Sequence, residues 1–180
     1  PEVLEMMARP MIHHRSAKFR PVFRSVRERL QTVFGTRNEV LVMCSSGTGA
    51  FESAIVNTLS PGDKVLCVST GFFGEKWADM CRKFGCQVTQ VAYPWGEQPD
   101  ASELEVAIEE SGVHTVVLVH CETSTGAVCD IRSLLNVCAD AGVLSIVDAI
   151  SSVGAVPFPT DEWGADVVVC ASQKGLMTPP

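Results

Sequence analysis

The stretch Thr115-Val116-Val117-Leu118-Val119-His120 decides the fold class of this chain. Its four central residues are apolar and three of them are β-branched, a pattern typical of a strand that is buried on both faces. Short runs of a similar kind recur at residues 39–44, 64–69, 87–92, 143–148 and 166–171. Strands buried on both faces belong to parallel sheets that carry helices on each side.

Amphipathic segments with helical spacing separate these apolar runs. They cover residues 20–34, 49–59, 74–84, 102–110 and 131–141. The alternation of strand and helix predicts helical crossovers, and hence an α/β fold built as a three-layer sandwich around a mainly parallel sheet. Ligands of such sheets bind beyond the carboxyl ends of the strands, so the residues that follow each strand are the candidates for a site.

Length, composition and charge limit the classes of function. The chain has 180 residues, 46% of them hydrophobic, and a net charge of −7. One large core is expected at this length, and the acidic balance argues against a nucleic acid or an anionic membrane as partner. No apolar run approaches the roughly 18 residues of a membrane span and no signal-peptide pattern is present, which predicts a cytoplasmic protein.

The cysteines and histidines predict neither disulfides nor a metal site. The cysteines lie inside apolar runs without a CxxC pair, so we expect buried, reduced thiols. They are Cys44, Cys67, Cys81, Cys86, Cys121, Cys129, Cys138 and Cys170. His120 and Cys121 are adjacent, but adjacent strand residues point to opposite faces and no further ligand has suitable spacing.

A glycine-rich loop, Ser45-Ser46-Gly47-Thr48-Gly49-Ala50, lies between a predicted strand and a predicted helix. Its free N–H groups and the helix dipole would attract an anion, and a phosphate is the natural guest. The loop lacks the lysine of a P-loop and the spacing of a dinucleotide fingerprint. A plain tight turn with Thr48 as helix N-cap is therefore an equally good interpretation of the loop taken alone.

Two charged residues lie at the same predicted edge of the sheet. Asp148 ends an apolar strand, where an unpaired carboxylate is costly, so it needs either a cationic partner such as a protonated pyridine nitrogen or a role as helix N-cap. Lys174 follows the run at residues 166–171, where desolvation would make its amine a Schiff-base nucleophile; the alternative is a solvated surface lysine. Together with the loop, they supply what a phosphorylated pyridine aldehyde requires.

Five stretches carry a resemblance to a known family. They are Ser46-Gly47-Thr48-Gly49-Ala50, Gly71-Phe72-Phe73-Gly74, His120-Cys121-Glu122-Thr123-Ser124-Thr125-Gly126, Asp148-Ala149-Ile150-Ser151-Ser152 and Ser172-Gln173-Lys174. In order and approximate spacing they resemble the class V aminotransferases of fold type I, in the branch of the alanine–glyoxylate and serine–pyruvate aminotransferases. The resemblance spans nearly the whole chain.

The resemblance implies pyridoxal 5′-phosphate (PLP) as the cofactor and a role for several residues around its ring. Lys174 would form the internal aldimine and later move the proton between the substrate Cα and the C4′ atom. Asp148 would pair with the pyridine nitrogen, and Thr123 would hydrogen-bond the 3-oxygen. Phe73 would stack on one face of the ring, and Ile150 would pack against the ring.

The resemblance also implies a phosphate cup made of Thr48, Gly49, Ala50 and Gln173. Two positions depart from the family pattern. Phe73 stands where the family often has Trp, which weakens the expected stacking. Ala50 stands where the family often has His or a polar residue, so phosphate contact there would come from the backbone N–H alone.

For domain organisation, we expect residues 1–36 to be an N-terminal helical segment and residues 37–180 to be an incomplete large PLP-binding domain. The chain begins without Met and ends just after the lysine motif, which predicts a piece of a longer polypeptide whose C-terminal small domain is absent here. From the resemblance we also expect a homodimer.

The predicted reaction is transfer of an amino group from a small amino acid, of the alanine or serine type, to a 2-oxo acid such as glyoxylate or pyruvate. One alternative is a class V lyase such as a cysteine desulfurase. Those relatives usually stack a His on the ring and carry a His before the lysine, whereas this chain has Phe73 and Gln173. The other alternative is a non-catalytic subunit that retains the fold.

A few further residues have simpler interpretations. Glu122 lies beside the predicted cofactor edge, where an acid would orient loops without being catalytic. Trp77, Trp95 and Trp163 are most simply packing residues.

Overall fold

The computed structural model describes residues 1–179, which form helices and strands in regular alternation after an N-terminal helical part. The helices are α1 Glu2–Met7, α2 Phe19–Phe34, α3 Gly47–Thr58, α4 Phe72–Lys83, α5 Ala101–Ser111, α6 Ile131–Ala141 and α7 Thr160–Trp163. The strands are β1 Lys64–Ser69, β2 Gln87–Ala92, β3 Thr115–Val119, β4 Cys121–Glu122, β5 Ala127–Val128, β6 Leu144–Asp148 and β7 Val167–Val169.

The main sheet has the strand order β2-β1-β3-β6-β7, and all of its strand pairs are parallel. The short strands β4 and β5 form a separate antiparallel pair. Within the main sheet β1 and β3 are neighbours although β2 lies between them in sequence, so the order of the strands reverses there. Such a reversal opens a crevice at the carboxyl ends of the strands, which is where ligands of this type of sheet bind.

Helices cover both faces of the sheet and explain the apolar run in β3. Val117 and Val119 pack on the same side of the sheet as α3 and α4, against residues such as Phe51 and Trp77. Val116 and Leu118 pack on the opposite side, with side chains from α5 and α6. The prediction of a three-layer α/β sandwich with a mainly parallel sheet is therefore confirmed.

The predicted strand at residues 39–44 is wrong. The segment has no strand pairing, and Leu41 is 75% exposed. Apolar residues favour a strand only where a neighbouring strand accepts their backbone hydrogen bonds. A groove of about 540 Å³, lined by this segment, α3 and β7, lies between residues 39–43 and the edge of the sheet.

The other predicted elements are present with small changes in their bounds, and four short elements were not predicted individually. These are α1, the β4–β5 pair and α7, which are too short for their periodicity to be recognised. All eight cysteines are free thiols; Cys44 is exposed, in contrast to the prediction, and the others are buried or half-buried. Within residues 1–179 no helix combines the length and the apolar character needed to cross a bilayer.

Gly74 lets α4 approach the end of β1, and this contact gives a test of the fold. A Cβ at this position would lie 2.6 Å from the Cα of Ser69. Gly-to-Ala changes inside helices usually stabilise by about 1 kcal/mol. Here we expect Gly74→Ala to lower the free energy of unfolding by about 1–3 kcal/mol, because the helix must move away from the strand.

Urea denaturation of the protein measures this change. Lys83→Ala, at an exposed position of the same helix, is the matched control and should change stability by less than about 0.5 kcal/mol. A Gly74→Ala protein as stable as the wild type would show that α4 does not pack this closely.

Candidate active site

The loops that follow β1, β3, β6 and β7 meet at one edge of the sheet, because parallel strands end on the same side. Phe73 lies in the first turn of α4 after β1, and Thr123 follows the short strand β4. Asp148 is the last residue of β6, and Lys174 lies five residues beyond the end of β7. The structure therefore places at this edge the charged and aromatic residues that the sequence predicts for a site.

The glycine-rich loop becomes the start of α3 and packs on the same edge. Ser46 is the N-cap residue, and its hydroxyl accepts a hydrogen bond of 3.3 Å from the N–H of Gly49. The alternative in which Thr48 is the N-cap is wrong, since Thr48 lies inside the first turn. A Cβ on Gly47 would lie 2.8 Å from Cδ1 of Ile150, so the glycine allows the helix start to contact the loop after β6.

Asp148 is a buried carboxylate with two hydrogen-bond donors and no cation. Its side chain is only 4% exposed. One oxygen accepts from the indole Nε1 of Trp77 at 2.6 Å, and the other accepts from the N–H of Ile150 at 2.8 Å. Within residues 1–179 no Lys, Arg or His lies within 4.0 Å of it. The alternative role as helix N-cap is wrong, because turns rather than a helix follow it.

Burial raises the pKa of Asp148 to about 6, although the donors Ile150 and Trp77 work in the opposite direction. A buried carboxyl group whose oxygens are both hydrogen-bonded, and whose pKa is nevertheless raised, is suited to a cationic partner. A protonated pyridine nitrogen would be such a partner.

Trp77 does more than the packing role that the sequence predicts for it. The indole is fully buried and stacks on Phe51, with ring centroids 4.0 Å apart and an angle of 12° between the planes. The same ring donates to Asp148 through its Nε1. Phe73 lies one helical turn earlier, with its ring centroid 6.1 Å from that of Trp77. Trp77 therefore joins the predicted stacking residue to the buried acid.

Glu122 and Ser124 cap the N-terminus of α4 from outside the helix. The N-cap residue Gly71 has no side chain, and Glu122 Oε2 accepts from the N–H groups of Phe73 at 3.0 Å and Gly74 at 3.2 Å. Ser124 Oγ accepts from the N–H of Phe72 and donates to Glu122 Oε1 at 2.7 Å. The predicted orienting role of Glu122 thus has a specific geometry: it joins α4 to the loop of Thr123.

The loop that carries Lys174 is held by close backbone packing. A Cβ on the next residue, Gly175, would lie 2.4 Å from the carbonyl oxygen of Val153, so only glycine fits there without movement. Lys174 itself is half-buried. Burial raises the pKa of the nearby Cys121 thiol, and the positive charge of Lys174 opposes that shift.

Thr123 and Gln173 lie at the open side of the site. Thr123 is exposed, and its Oγ1 shares a 2.5 Å hydrogen bond with Oγ of Ser151, which follows β6. Gln173 is exposed, and its side chain forms no hydrogen bond within the described part of the chain. The two hydroxyls are thus brought together, whereas the place of Gln173 is not fixed by a partner.

Comparison with known proteins identifies the family. The family model for "Aminotransferase class-V" matches residues 3–180. The chain belongs to the class V aminotransferase family. The prediction from the five motifs is confirmed, and so is PLP as the cofactor class, since the enzymes of this family depend on it.

Individual relatives are similar over the whole chain. An L-aspartate–glyoxylate aminotransferase of Paracoccus denitrificans is 40% identical over 99% of this chain and 47% of its own length. A protein of Synechococcus named soluble hydrogenase, small subunit, is 37% identical over 99% of this chain and 47% of its own length. The chain therefore spans about half the length of these curated relatives.

A solved structure agrees closely with the fold. The alanine–glyoxylate aminotransferase of Nostoc sp. superposes with a TM-score of 0.96 at 35% identity, over 100% of this chain and 48% of its own.

The residues at the sheet edge fit PLP. A buried acid without a cation, a half-buried lysine and the N-terminal turn of a helix are present together. The expected phosphate contact through the N–H of Ala50 is wrong, because that group donates to the carbonyl oxygen of Ser46. Sequence reasoning missed Ser124, Ser151 and the second role of Trp77. Residues four positions apart in a helix lie on the same face, and this spacing from Phe73 was the signal that could have identified the role of Trp77.

Replacing Glu122 tests the cap of α4. Glu122→Gln exchanges one acceptor oxygen for a donor that faces other donors, so a buried N–H or amide loses its partner. We expect the free energy of unfolding to fall by about 1–3 kcal/mol. Glu109→Gln, at an exposed position of α5, is the matched control for removal of one charge. Urea denaturation measures the free energy of unfolding of both variants. An equally small decrease in the two would contradict the role of Glu122 as the cap of α4.

Replacing Asp148 tests the burial of its carboxyl group. Its folded-state pKa of about 6 lies above the ordinary value of 3.8, so the folded protein binds more protons between these pH values. The stabilising contribution of the carboxyl group is present below pH 3.8 and is lost as the pH rises through about 6. Relative to Asp148→Asn, the wild type should therefore lose about 2 kcal/mol of stability between pH 4 and pH 7.

Denaturation of both proteins across this pH range measures the difference. Asp140→Asn, at an exposed position of α6, controls for the loss of one carboxylate. Parallel pH profiles of the wild type and Asp148→Asn would show that the folded-state pKa is not raised.

Proposed function

We propose that this chain is the PLP-binding half of an aminotransferase. The protein would move the amino group of a small amino acid, of the alanine or serine type, to a 2-oxo acid such as glyoxylate or pyruvate. The observation that carries the proposal is the buried, cation-free carboxylate of Asp148 on the same sheet edge as Lys174 and the start of α3. The Paracoccus and Nostoc relatives are both named for glyoxylate, which favours it as the acceptor.

Bound PLP supplies an electron-withdrawing ring that stabilises negative charge at the substrate Cα. The side chains of the protein would bind the cofactor and move protons around it. The amine of Lys174 would hold the cofactor carbonyl carbon until the substrate amine displaces it, and the freed amine would then move the proton from the substrate Cα to C4′. Asp148 would accept a hydrogen bond from the protonated ring nitrogen, and that cation would lower the carboxyl pKa from its raised value.

The remaining predicted residues would orient the ring and hold the phosphate. Phe73 and Ile150 would contact the ring, and the hydroxyl of Thr123 would hydrogen-bond the 3-oxygen. The first turn of α3, which carries Thr48, Gly49 and Ala50, would bind the phosphate at its positive end together with Gln173. The N–H of Thr48 would be the main-chain donor of these three, because the N–H groups of Gly49 and Ala50 already donate to Ser46.

We further propose that the protein is a homodimer located in the cytoplasm, with residues 1–36 as an N-terminal helical segment and residues 37–180 as the large domain. The first two helices support the dimer, because they present apolar side chains to solvent. Leu4 is 69% exposed, and Met6, Met7, Val22 and Phe23 are exposed as well. Several exposed apolar side chains on two successive helices are typical of a segment that is covered by a protein partner.

Removal of the Lys174 amine tests the function. Titration of the wild type with PLP should produce the visible absorbance of a lysine-bound cofactor, and the protein should transfer amino groups from a panel of amino acids to glyoxylate or pyruvate. Lys174→Ala should lose both the visible band and essentially all turnover. Lys174→Arg keeps the charge without the nucleophile and should fail in the same way.

Lys83→Ala, on the exposed side of α4, should keep the band and the activity. Full turnover of Lys174→Ala with the band retained would contradict the catalytic role. A wild type that does not bind PLP would instead favour the alternative of a non-catalytic subunit; the Synechococcus relative is named as a subunit of a soluble hydrogenase.

A further inference from the structure

Lys76 lies beside the start of α3, although neither the motifs nor the family resemblance gives it a role. Its Nζ donates a hydrogen bond of 2.8 Å to Oγ1 of Thr48. The same atom lies 5.5 Å from the ring centroid of Phe73 and 5.1 Å from that of Trp77. The ammonium group is thus held between two aromatic rings and the first turn of α3.

The charge of this group is not balanced by a nearby acid. Within the described residues no carboxylate lies within 4.0 Å of Lys76, and Thr48 Oγ1 is the only hydrogen-bond acceptor of its Nζ. An ammonium group has three N–H donors, so two remain without a protein acceptor. The helix start also carries partial positive charge, which makes the position unfavourable for a cation unless an anion joins it.

We propose that Lys76 is a phosphate-binding residue of the cofactor site, and this inference rests on the function proposed above. The two remaining N–H donors of its ammonium group would bind phosphate oxygens, while Thr48 keeps the side chain in place. The phosphate would then meet a full positive charge as well as the backbone donors of α3. This supplies the charge that Ala50 cannot contribute through a side chain.

A different role for Lys76 makes a different prediction. The positive charge of Lys76 also acts on Asp148, where it opposes the rise of the carboxyl pKa caused by burial. If Lys76 acted only on Asp148 and on the cofactor ring, replacing Lys76 would weaken the binding of PLP and of a cofactor without phosphate to the same extent. A phosphate ligand affects the phosphorylated form alone.

The experiment compares PLP with pyridoxal, which lacks the phosphate. Dissociation constants are measured by absorbance and tryptophan-fluorescence titration of wild type, Lys76→Met and Lys76→Arg. We expect Lys76→Met to raise the dissociation constant of PLP by roughly ten-fold or more, the effect of losing one charge-assisted hydrogen bond. The constant for pyridoxal should change by less than about three-fold, because the two remaining N–H donors contact only phosphate.

The arginine variant and a matched lysine complete the comparison. Lys76→Arg should restore PLP binding to within roughly three-fold of the wild type, since it keeps the cation. Lys83→Met, on the exposed face of the same helix, should bind both compounds as the wild type does. Circular dichroism shows whether Lys76→Met is folded. If it is not, Lys76→Gln gives the same comparison.

The outcomes separate this inference from the function. Equal losses of PLP and pyridoxal binding in Lys76→Met, or no loss of either, would overturn the role of Lys76 and leave the aminotransferase proposal intact. A wild type that binds neither compound would overturn both.

Discussion

The burial of one carboxylate, that of Asp148, is the constraint on which the site depends. A carboxylate that is 4% exposed needs hydrogen bonds to both oxygens, and these come from the indole of Trp77 and the N–H of Ile150. Trp77 is fixed in turn by its stacking on Phe51 of α3. The position of the acid therefore determines how α4 and α3 lie against β6, and the core and the site share these contacts.

The loops around Asp148 are also held by hydrogen bonds between buried polar groups, and by close backbone contacts at glycines, rather than by apolar packing. Glu122 ends the short strand β4 and satisfies the first N–H groups of α4, so the loop of Thr123 cannot move independently of Phe73. Gly47 and Gly175 allow backbone approaches that a Cβ would block. A site made of five loops thereby obtains the rigidity that side-chain positioning for catalysis requires.

The sequence predicts the fold well because its strongest signals are local. Continuous apolar runs such as residues 115–120 mark strands buried on both faces, and helical spacing marks the segments between them. The run at residues 39–44 has a similar composition yet forms no strand, since pairing depends on a neighbour that local pattern does not reveal. The chemistry-bearing residues follow strand ends and are found in the same way, whereas partners such as Trp77 for Asp148 lie 71 positions away and need the tertiary structure.

The distribution of charge across the site favours a ligand with charges of opposite sign at its two ends. Asp148 is an uncompensated negative group at the end of β6. Lys76 and the start of α3 place positive charge beside Thr48, with the rings of Phe73 and Trp77 between the two regions. A protonated pyridine that carries a phosphate has this polarity, with a flat apolar body that suits the aromatic surface. A small zwitterionic amino acid also carries both charges but lacks a flat apolar body to cover the rings of Phe73 and Trp77, which is why this arrangement favours a cofactor site.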